Sequence, residues 1–327
     1  MTRVGRIFTR YPLACVVVVV WGLWLPFISV HGQWHHFLDK HPMALTMVLG
    51  SFLAGSTCIG GGAVAYPVMA WWLEIDAGTA RDFALLIQTV GMGAASVTIF
   101  ARRTRLCFDA IVYAGLGGAL GVVIGLEAVA PRVSPAIAKV FFASLWLSFS
   151  LALHLTVARS GDVARVELQV PAAAKRWLFL VGIAGGLVTA IVGSGLDVLT
   201  FTLLVLSLRV AEDISTPTSV VIMAGNAAVG ALYRTFVQGE TAPLAFEYWY
   251  VCVPVVVVGA PLGAWFITGR SRHVIRRMLY TCIAAQFIGA AVLAERTPET
   301  IAIGIATFAI GVILFLWMAR RDLAVLD

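Results

Sequence analysis

Two short glycine-rich stretches decide the fold of this chain: Ser56-Thr57-Cys58-Ile59-Gly60-Gly61-Gly62 and Val192-Gly193-Ser194-Gly195-Leu196-Asp197. They lie at the centres of the two longest apolar blocks, residues 43–73 and 176–208, and each block is too long for a single membrane span. Each glycine costs a helix about 1 kcal/mol relative to alanine. In lipid, the backbone groups that an unwound segment releases need partners within the protein or a water-filled cavity. Each block is therefore predicted to form two half-helices around an unwound turn.

The amino-acid composition is typical of a membrane protein. Of the 327 residues, 60% are hydrophobic and only 12% are charged, whereas roughly a quarter of the residues of a soluble domain are charged. Apart from the two long blocks, eight apolar blocks have the length of one span, about 20 residues. These blocks are 12–30, 80–101, 108–130, 136–157, 214–236, 248–268, 273–294 and 299–319. The prediction is an all-α polytopic membrane protein without a soluble domain.

The two broken blocks begin two related units. When Gly60 is aligned with Gly195, at an offset of 135 residues, the segments that follow also correspond. Each break leads to a helix with a polar start, then to a glycine-rich helix, then to a helix with basic residues near its start. The glycine-rich helices carry Gly117-x-x-x-Gly121 and Gly259-x-x-x-Gly263, small-residue faces that allow close packing within the chain or across a homodimer.

The duplication predicts two repeats with one extra helix at each end. The predicted regions are 1–42, an extra transmembrane helix and external loop; 43–157, the first repeat; 158–175, a cytoplasmic loop; 176–294, the second repeat; and 295–327, the last helix and tail.

Basic residues predict the topology. If both broken blocks turn back inside the membrane and the N-terminus is cytoplasmic, 17 of the 23 Lys and Arg residues lie on the cytoplasmic side. If both blocks cross instead, the division is nearly even, which the positive-inside rule disfavours. Each repeat then combines a re-entrant helix with three spanning helices, so the two repeats are inverted, a recurring plan of secondary transporters. Both termini are predicted to be cytoplasmic.

Several functional classes are disfavoured. The net charge of +6 comes from short basic runs between apolar blocks, the pattern of cytoplasmic loops and not of a nucleic-acid site. The five cysteines include no CxxC pair, and four histidines near residues 31–41 match no ligand spacing, so no metal or other cofactor is expected. An intramembrane enzyme using Ser194 lacks a supporting base, and no Walker motif is present.

Both breaks resemble the signature of one family. Gly55-Ser-Thr-Cys-Ile-Gly60-Gly-Gly62-Ala-Val-Ala-Tyr-Pro67 and Gly182-Ile-Ala-Gly-Gly186-Leu-Val-Thr-Ala-Ile-Val-Gly193-Ser-Gly195 are similar to the turns of the TauE/SafE sulfite exporter family, also called TSUP. The resemblance covers roughly residues 43 to 294. It implies movement of sulfite, thiosulfate or C2 organosulfonates across the bacterial inner membrane. The chain departs from the family pattern at Cys58, Ser194 and Asp197, which leaves the substrate and the coupling open.

The turns are the candidate anion site. A helix N-terminus carries about half a positive charge and free N–H groups, so two half-helices that begin near Gly62 and Gly195 would bind an anion without a basic side chain. Glycine also allows close backbone approach. The alternative is that the glycines only permit tight helix packing. The substrate-binding candidates at the turns are Thr57, Cys58, Gly60, Gly61, Gly62, Gly193, Ser194 and Gly195.

Other polar residues within the apolar blocks complete the candidate list. Asp197 is either an N-cap or the residue that couples transport to a proton or cation, because an intramembrane carboxylate is costly. Hydroxyl and amide side chains in the following helices either line the pathway or bridge helices; they are Gln88, Thr218, Ser219 and Asn226. The resulting hypothesis is a secondary transporter for a small sulfur-containing anion. The alternative is an anion channel that uses the same site.

Overall fold

The computed structural model describes residues 11–58, 60, 65, 68–160 and 170–267, scattered positions between 273 and 288, and residues 297–320. Within these residues the chain forms ten α-helices joined by turns and short 3₁₀ or π segments. The helices are α1 (Pro12–Val30), α2 (His36–Ser56), α3 (Ala77–Ala101), α4 (Phe108–Ile124), α5 (Pro135–Ser160), α6 (Ala172–Val192), α7 (Leu196–Thr202), α8 (Glu212–Leu232), α9 (Pro243–Ile267) and α10 (Pro298–Arg320). The described positions between 273 and 288 are also helical.

Eight helical segments in the described part of the chain are long and apolar enough to cross a membrane. They include α1 and α10, which pack at the periphery and expose Val18, Leu23, Ile305 and Ile313. Large aliphatic side chains on an outer surface are favourable where that surface faces lipid and not water. The predicted all-α polytopic membrane fold is therefore confirmed.

Both apolar blocks break at the predicted glycine turns. Helix α2 ends at Ser56, and Gly60 in the following turn has φ +73°. Helix α6 ends at Val192, and α7 starts after a turn in which Gly193 has φ +79° and Gly195 has φ +152°. These left-handed conformations explain why glycine occupies the turns. Gly61 and Gly62 lie outside the described residues.

The arms that lead into the two turns are longer than the predicted half-helices. Helices α2 and α6 contain 21 residues each, which at 1.5 Å per residue corresponds to about 31 Å, comparable with the hydrocarbon thickness of a bilayer. Helix α2 also begins at His36, so only the first part of the expected external loop at residues 31–41 lies outside an α-helix. Helix α2 contains Pro42 beyond its first turn, where the missing N–H leaves Leu38 O without its helical donor. His41 Nδ1 lies 2.8 Å from this oxygen.

The backbone repeats itself at the offset predicted from the sequence. The returning arm of each broken block contains a π-helical turn, at Val68–Trp72 in the first block and Leu203–Ser207 in the second. Each π turn is followed by a residue with φ of +53°, Glu74 in the first block and Arg209 in the second. Both matches are separated by 135 residues, which is also the separation of Gly60 and Gly195. Such agreement in irregular backbone supports the predicted duplication.

Side-chain contacts give the directions of the helices in the first group. Lys40 near the start of α2 pairs with Glu247 near the start of α9 at 3.5 Å, and Gly55 near the end of α2 contacts Ala260. Helix α3 follows the same direction, since Phe83 packs against Tyr248. Helices α2, α3 and α9 are therefore parallel, and α2 and α3 begin at the same face of the protein. The first broken segment thus returns to the face from which it started.

A second group of helices runs the opposite way. Asp109 at the start of α4 pairs with Lys175 of α6 at 3.1 Å, and Thr218 of α8 accepts a hydrogen bond from Cys107 N at 3.0 Å. Helices α4, α6 and α8 therefore begin at one face. Arg234 at the end of α8 contacts Asp82 at the start of α3, so this face is opposite to the first. Corresponding helices of the two predicted repeats run in opposite directions, the relation that inverted repeats require.

The glycine-rich faces pack each repeat against the other. In α4, a Cβ on Gly117 or Gly121 would lie 2.2 Å from a backbone oxygen of α6. In α9, a Cβ on Gly263 would lie 2.0 Å from Phe52 O in α2. Each glycine-rich helix therefore packs against the broken helix of the other repeat, and these faces are buried within the chain, where a homodimer has no access to them.

Candidate functional site

The two turns meet around Gly60. A Cβ on this residue would lie 2.6 Å from Asp197 Oδ2, 2.9 Å from Ser194 Oγ and 3.0 Å from Gln88 Oε1. Asp197 and Ser194 belong to the second turn, and Gln88 belongs to α3. Polar groups from both halves of the chain therefore converge on one glycine, and Gly60 is required both for its positive φ and for the space that its hydrogen leaves.

Gln88 joins α3 to the second turn. Its Nε2 donates hydrogen bonds to Ala84 O at 2.9 Å and to Gly193 O at 2.7 Å. Gln88 is close to the midpoint of α3 and is 1% exposed. The convergence point therefore lies about halfway along a spanning helix, at the depth expected for a transport site. Gly193 packs closely on the same helix, since a Cβ there would lie 2.6 Å from Ala84 Cβ.

Asp197 is fully buried and caps α7. Its Oδ1 accepts hydrogen bonds from Gly195 N at 3.1 Å, from Val198 N at 3.0 Å and from Ser194 Oγ at 3.4 Å. Among the described residues, no basic side chain forms an ion pair with this carboxylate. The N–H groups of Gly195 and Val198 therefore already donate to a carboxylate of the chain itself, which leaves fewer donors for an anion at the second turn.

Two of the first-turn candidates, Thr57 and Cys58, are also buried. The Thr57 hydroxyl donates to Leu53 O at 2.8 Å, one turn earlier in α2. Cys58 is 2% exposed. Both side chains lie next to the Gly60 turn.

The three candidates on α8 differ in their surroundings. Thr218 Oγ1 donates to Ile214 O at 2.7 Å and accepts from Cys107 N at 3.0 Å, so it bridges α8 and the start of α4. Ser219 Oγ donates to Thr216 O at 2.8 Å, within its own helix. These two hydroxyls are engaged in helix bonding, and no described contact places either of them at the convergence point.

Asn226 is different because its amide is buried without a partner. The residue is 2% exposed, and neither Oδ1 nor Nδ2 makes a hydrogen bond to the part of the protein that the structure describes. It lies close to the start of α7, since Gly118 faces both Leu196 and Asn226 Oδ1. A buried amide with no partner is costly, which makes Asn226 a stronger site candidate than Thr218 or Ser219.

Two features of the site were not predicted from the sequence. Thr189 Oγ1 accepts a hydrogen bond from Leu196 N at 3.2 Å and donates to Gly185 O, so it supports the start of α7 from α6. The only feature that marks Thr189 in the sequence is its hydroxyl group, one helical turn before Gly193. The second feature is the pair of charged residues Arg81 and Asp82 at the start of α3, which are only 8% and 2% exposed.

The buried charges at the start of α3 form a network. Arg81 Nη2 contacts Asp82 Oδ1 at 2.8 Å, and Arg234 Nε contacts the same oxygen at 3.3 Å. Asp82 Oδ2 also accepts a hydrogen bond from Ala242 N at 3.1 Å. The network connects α3 to the end of α8 and to the start of α9. Its backbone lies against the second turn, since a Cβ on Gly193 would lie 3.0 Å from Arg81 O.

The histidines near the start of α2 bond mainly to neighbouring residues. His31 Nδ1 lies 2.8 Å from Phe27 O, and His41 Nδ1 lies 2.8 Å from Leu38 O. Over the described ranges, no group of three or more His, Cys, Asp or Glu side chains is arranged to hold a metal ion.

One known protein family matches most of the chain, including both glycine turns. The model of the sulfite exporter TauE/SafE family matches residues 43–288, which span both broken blocks. The chain belongs to the TauE/SafE sulfite exporter family. This is a family of membrane transporters and not of enzymes. No curated protein and no solved structure gives a significant match.

Proposed function

We propose that this TauE/SafE member is a secondary transporter that moves sulfite, thiosulfate or a C2 organosulfonate by alternating access. The observation that carries the proposal is the meeting of the two turns at Gly60, where groups from both halves of the chain lie within 3.0 Å of one point. Transporters built from two opposed units bind substrate between the units, at broken helices near the bilayer midplane. The position of Gln88 near the middle of α3 fits that depth.

Burial favours a transporter over a channel. Thr57, Cys58, Gln88, Ser194 and Asp197 are all at most 2% exposed. A solute therefore reaches these side chains only after the surrounding helices move, as alternating access requires, whereas a channel binds ions along a pathway open to both sides during conduction.

The two groups of helices that run in opposite directions are the parts that would move. Helices α2, α3 and α9 run one way, and helices α4, α6 and α8 run the other. Each glycine-rich helix packs against the broken helix of the other repeat, so each of these two groups contains helices of both repeats. A rocking motion of one group relative to the other would change access on both sides of the turns. We assign Asp197 the role of coupling residue, because its carboxylate is buried and faces both turns.

The proposed location is the bacterial inner membrane, with both termini in the cytoplasm. Under this topology the starts of α4, α6 and α8 face the cytoplasm, and the basic residues Arg102, Arg103, Arg105 and Arg209 lie near that face. The opposite face would then carry the Arg81–Asp82–Arg234 network. The positive-inside rule supports this orientation.

The test is thermal unfolding of the purified protein in detergent with a panel of anions. The panel contains sulfite, thiosulfate, taurine, isethionate and sulfoacetate, with sulfate, acetate and chloride for comparison. A ligand that binds only the folded state raises the unfolding temperature by mass action. We expect a selective rise with one sulfur-containing solute of the first group and uptake of the same solute into proteoliposomes.

Gly60→Ala is the informative variant, and Gly32→Ala is its matched control. Both glycines have a positive φ, +73° and +64°, but a Cβ at Gly32 meets nothing within 4 Å. Both variants carry the same kind of backbone strain, and only Gly60→Ala also crowds the site. We expect the substrate-dependent rise to disappear in Gly60→Ala and to remain in Gly32→Ala. Equal responses in the two variants, or no rise with any sulfur anion in the native protein, would contradict the proposed substrate site.

A further inference from the structure

Three oxygen atoms meet at the convergence point, and among the described residues no basic side chain pairs with the carboxylate that supplies one of them. They are Asp197 Oδ2, Ser194 Oγ and Gln88 Oε1, at 2.6, 2.9 and 3.0 Å from the Cβ position of Gly60. The Ser194 hydroxyl lies 3.5 Å from Asp197 Oδ2. The group combines one carboxylate, one amide oxygen and one hydroxyl, all of which are ligands that hard cations prefer.

The hydrogen bonds of Gln88 determine which of its atoms faces the group. Its Nε2 lies within 2.9 Å of two backbone carbonyls, Ala84 O and Gly193 O, which only an NH₂ group satisfies. The Gln88 atom that faces the other two oxygens is therefore Oε1, which can accept hydrogen bonds but cannot donate them. Gln88 Oε1 is buried and accepts no hydrogen bond from the residues that the structure describes. A buried acceptor aimed at a carboxylate is unfavourable unless something positive lies between them.

The charge balance points the same way. Asp197 is fully buried, and an isolated buried carboxylate is very costly without a paired charge. Its Oδ1 accepts the donors of the α7 cap, whereas Oδ2 lies with Ser194 Oγ and Gln88 Oε1 around the Cβ position of Gly60. In addition, α2 and α6 both end at the turns, and the C-terminal end of a helix carries a partial negative charge that favours cations.

We infer that Asp197 Oδ2, Gln88 Oε1 and Ser194 Oγ form a binding site for Na⁺, and that this ion is the coupling ion of transport. A single carboxylate matches a monovalent ion. A divalent ion would need more anionic ligands than the one carboxylate here, and the described residues contain no group of three acidic, His or Cys side chains. A proton on Asp197 would satisfy at most one acceptor, whereas Na⁺ is coordinated by all three and neutralises the carboxylate.

This inference rests on the proposed function for its coupling role but not for the existence of the site. The two turns are then specialised: the second turn, with Asp197, holds the cation, and the glycine-rich first turn remains available for the anion. A bound Na⁺ would offset the repulsion between Asp197 and an anionic substrate, so each ligand would raise the affinity for the other.

The site is tested by thermal unfolding of the full chain in NaCl, KCl and choline chloride at constant ionic strength and pH, without any sulfur anion. Na⁺ should raise the unfolding temperature by several degrees with a saturable dose dependence, and K⁺ and choline should not. In Asp197→Asn, the half-saturating Na⁺ concentration should rise about tenfold or more. Asp109→Asn is the control, because Asp109 lies at the start of α4, at one face of the protein, and pairs there with Lys175 of α6. The Na⁺ response of this variant should match that of the native chain.

Ser194→Ala provides a second variant in case Asp197→Asn does not fold, since it removes one ligand and keeps the carboxylate. It should raise the half-saturating Na⁺ concentration several-fold. Equal stabilisation by all three salts, or stabilisation that follows pH and not Na⁺, would overturn the sodium site. Repeating the titration with the sulfur-anion panel separates the two proposals. A Na⁺ response without any anion response leaves the cation site standing and rejects the substrate assignment. An anion response in a protein that shows no Na⁺ response does the reverse. Responses to both ligands that are independent of each other leave both sites standing and reject the coupling role of Na⁺.

Discussion

Gln88 Nε2 donates a hydrogen bond of 2.7 Å to Gly193 O, across 105 residues of sequence. This bond holds the second glycine turn against the middle of α3, a helix of the first repeat. Both residues of this bond, Gln88 and Gly193, are buried. The site is therefore assembled from segments that are distant in sequence, with Gly60 and Gln88 on one side and Ser194 and Asp197 on the other.

Replacing Gln88 with Met should loosen the second turn. The variant retains a side chain of similar length but removes the donor to Gly193 O, and a buried group left without its partner costs about 1–3 kcal/mol. We expect the unfolding temperature to fall and transport to be lost. Ser96→Ala, in the same helix, removes only a hydroxyl that donates to Met92 O. Its effect should stay below about 1 kcal/mol, and equal losses in both variants would argue against a special role for Gln88.

Crowding the interface between α4 and α6 should destabilise the fold. A Cβ on Gly121 would lie 2.2 Å from Ile183 O, whereas a Cβ on Gly115 of the same helix meets nothing within 4 Å. Gly121→Ala should cost about 1–3 kcal/mol, as overpacking does elsewhere. Gly115→Ala should be neutral or slightly stabilising, because alanine is the better helix former. Thermal unfolding in detergent measures the difference, and a Gly121→Ala variant as stable as Gly115→Ala would contradict this packing.

Removing the Asp82 carboxylate should have a larger effect than removing a surface carboxylate. Asp82→Asn leaves the buried Arg81 without its anion, while Arg234 keeps Glu240 as a partner. Loss of one partner of a buried ion pair costs about 3–5 kcal/mol. Glu247→Gln removes a partly exposed partner of Lys40, which should cost no more than about 1 kcal/mol. Unfolding temperatures of the two variants compare these costs, and a similar small change in both would show that the network contributes little.

The positions of the breaks were predictable because their cause is local. Gly60, Gly193 and Gly195 adopt backbone conformations that only glycine enters without strain, and glycine content is read directly from the sequence. The duplication stays a prediction, and the recurrence of the offset between Gly60 and Gly195 in the π turns at Val68–Trp72 and Leu203–Ser207 supports it. The lengths of α2 and α6 were underestimated, because helical ends in polar segments depend on tertiary packing and not on hydropathy.

The membrane class, the two breaks and the family were predictable from the sequence, because they follow from composition, glycine content and motif. The tertiary structure decided which polar residues share a site. Gln88 and Asn226 were equal candidates in the sequence, as were Ser194 and Thr218, yet only Gln88 and Ser194 reach the Gly60 turn with Asp197. It also placed Arg81 and Asp82 in a buried network with Arg234. Such contacts join residues more than 100 positions apart, so they depend on how the helices pack and not on local residue patterns.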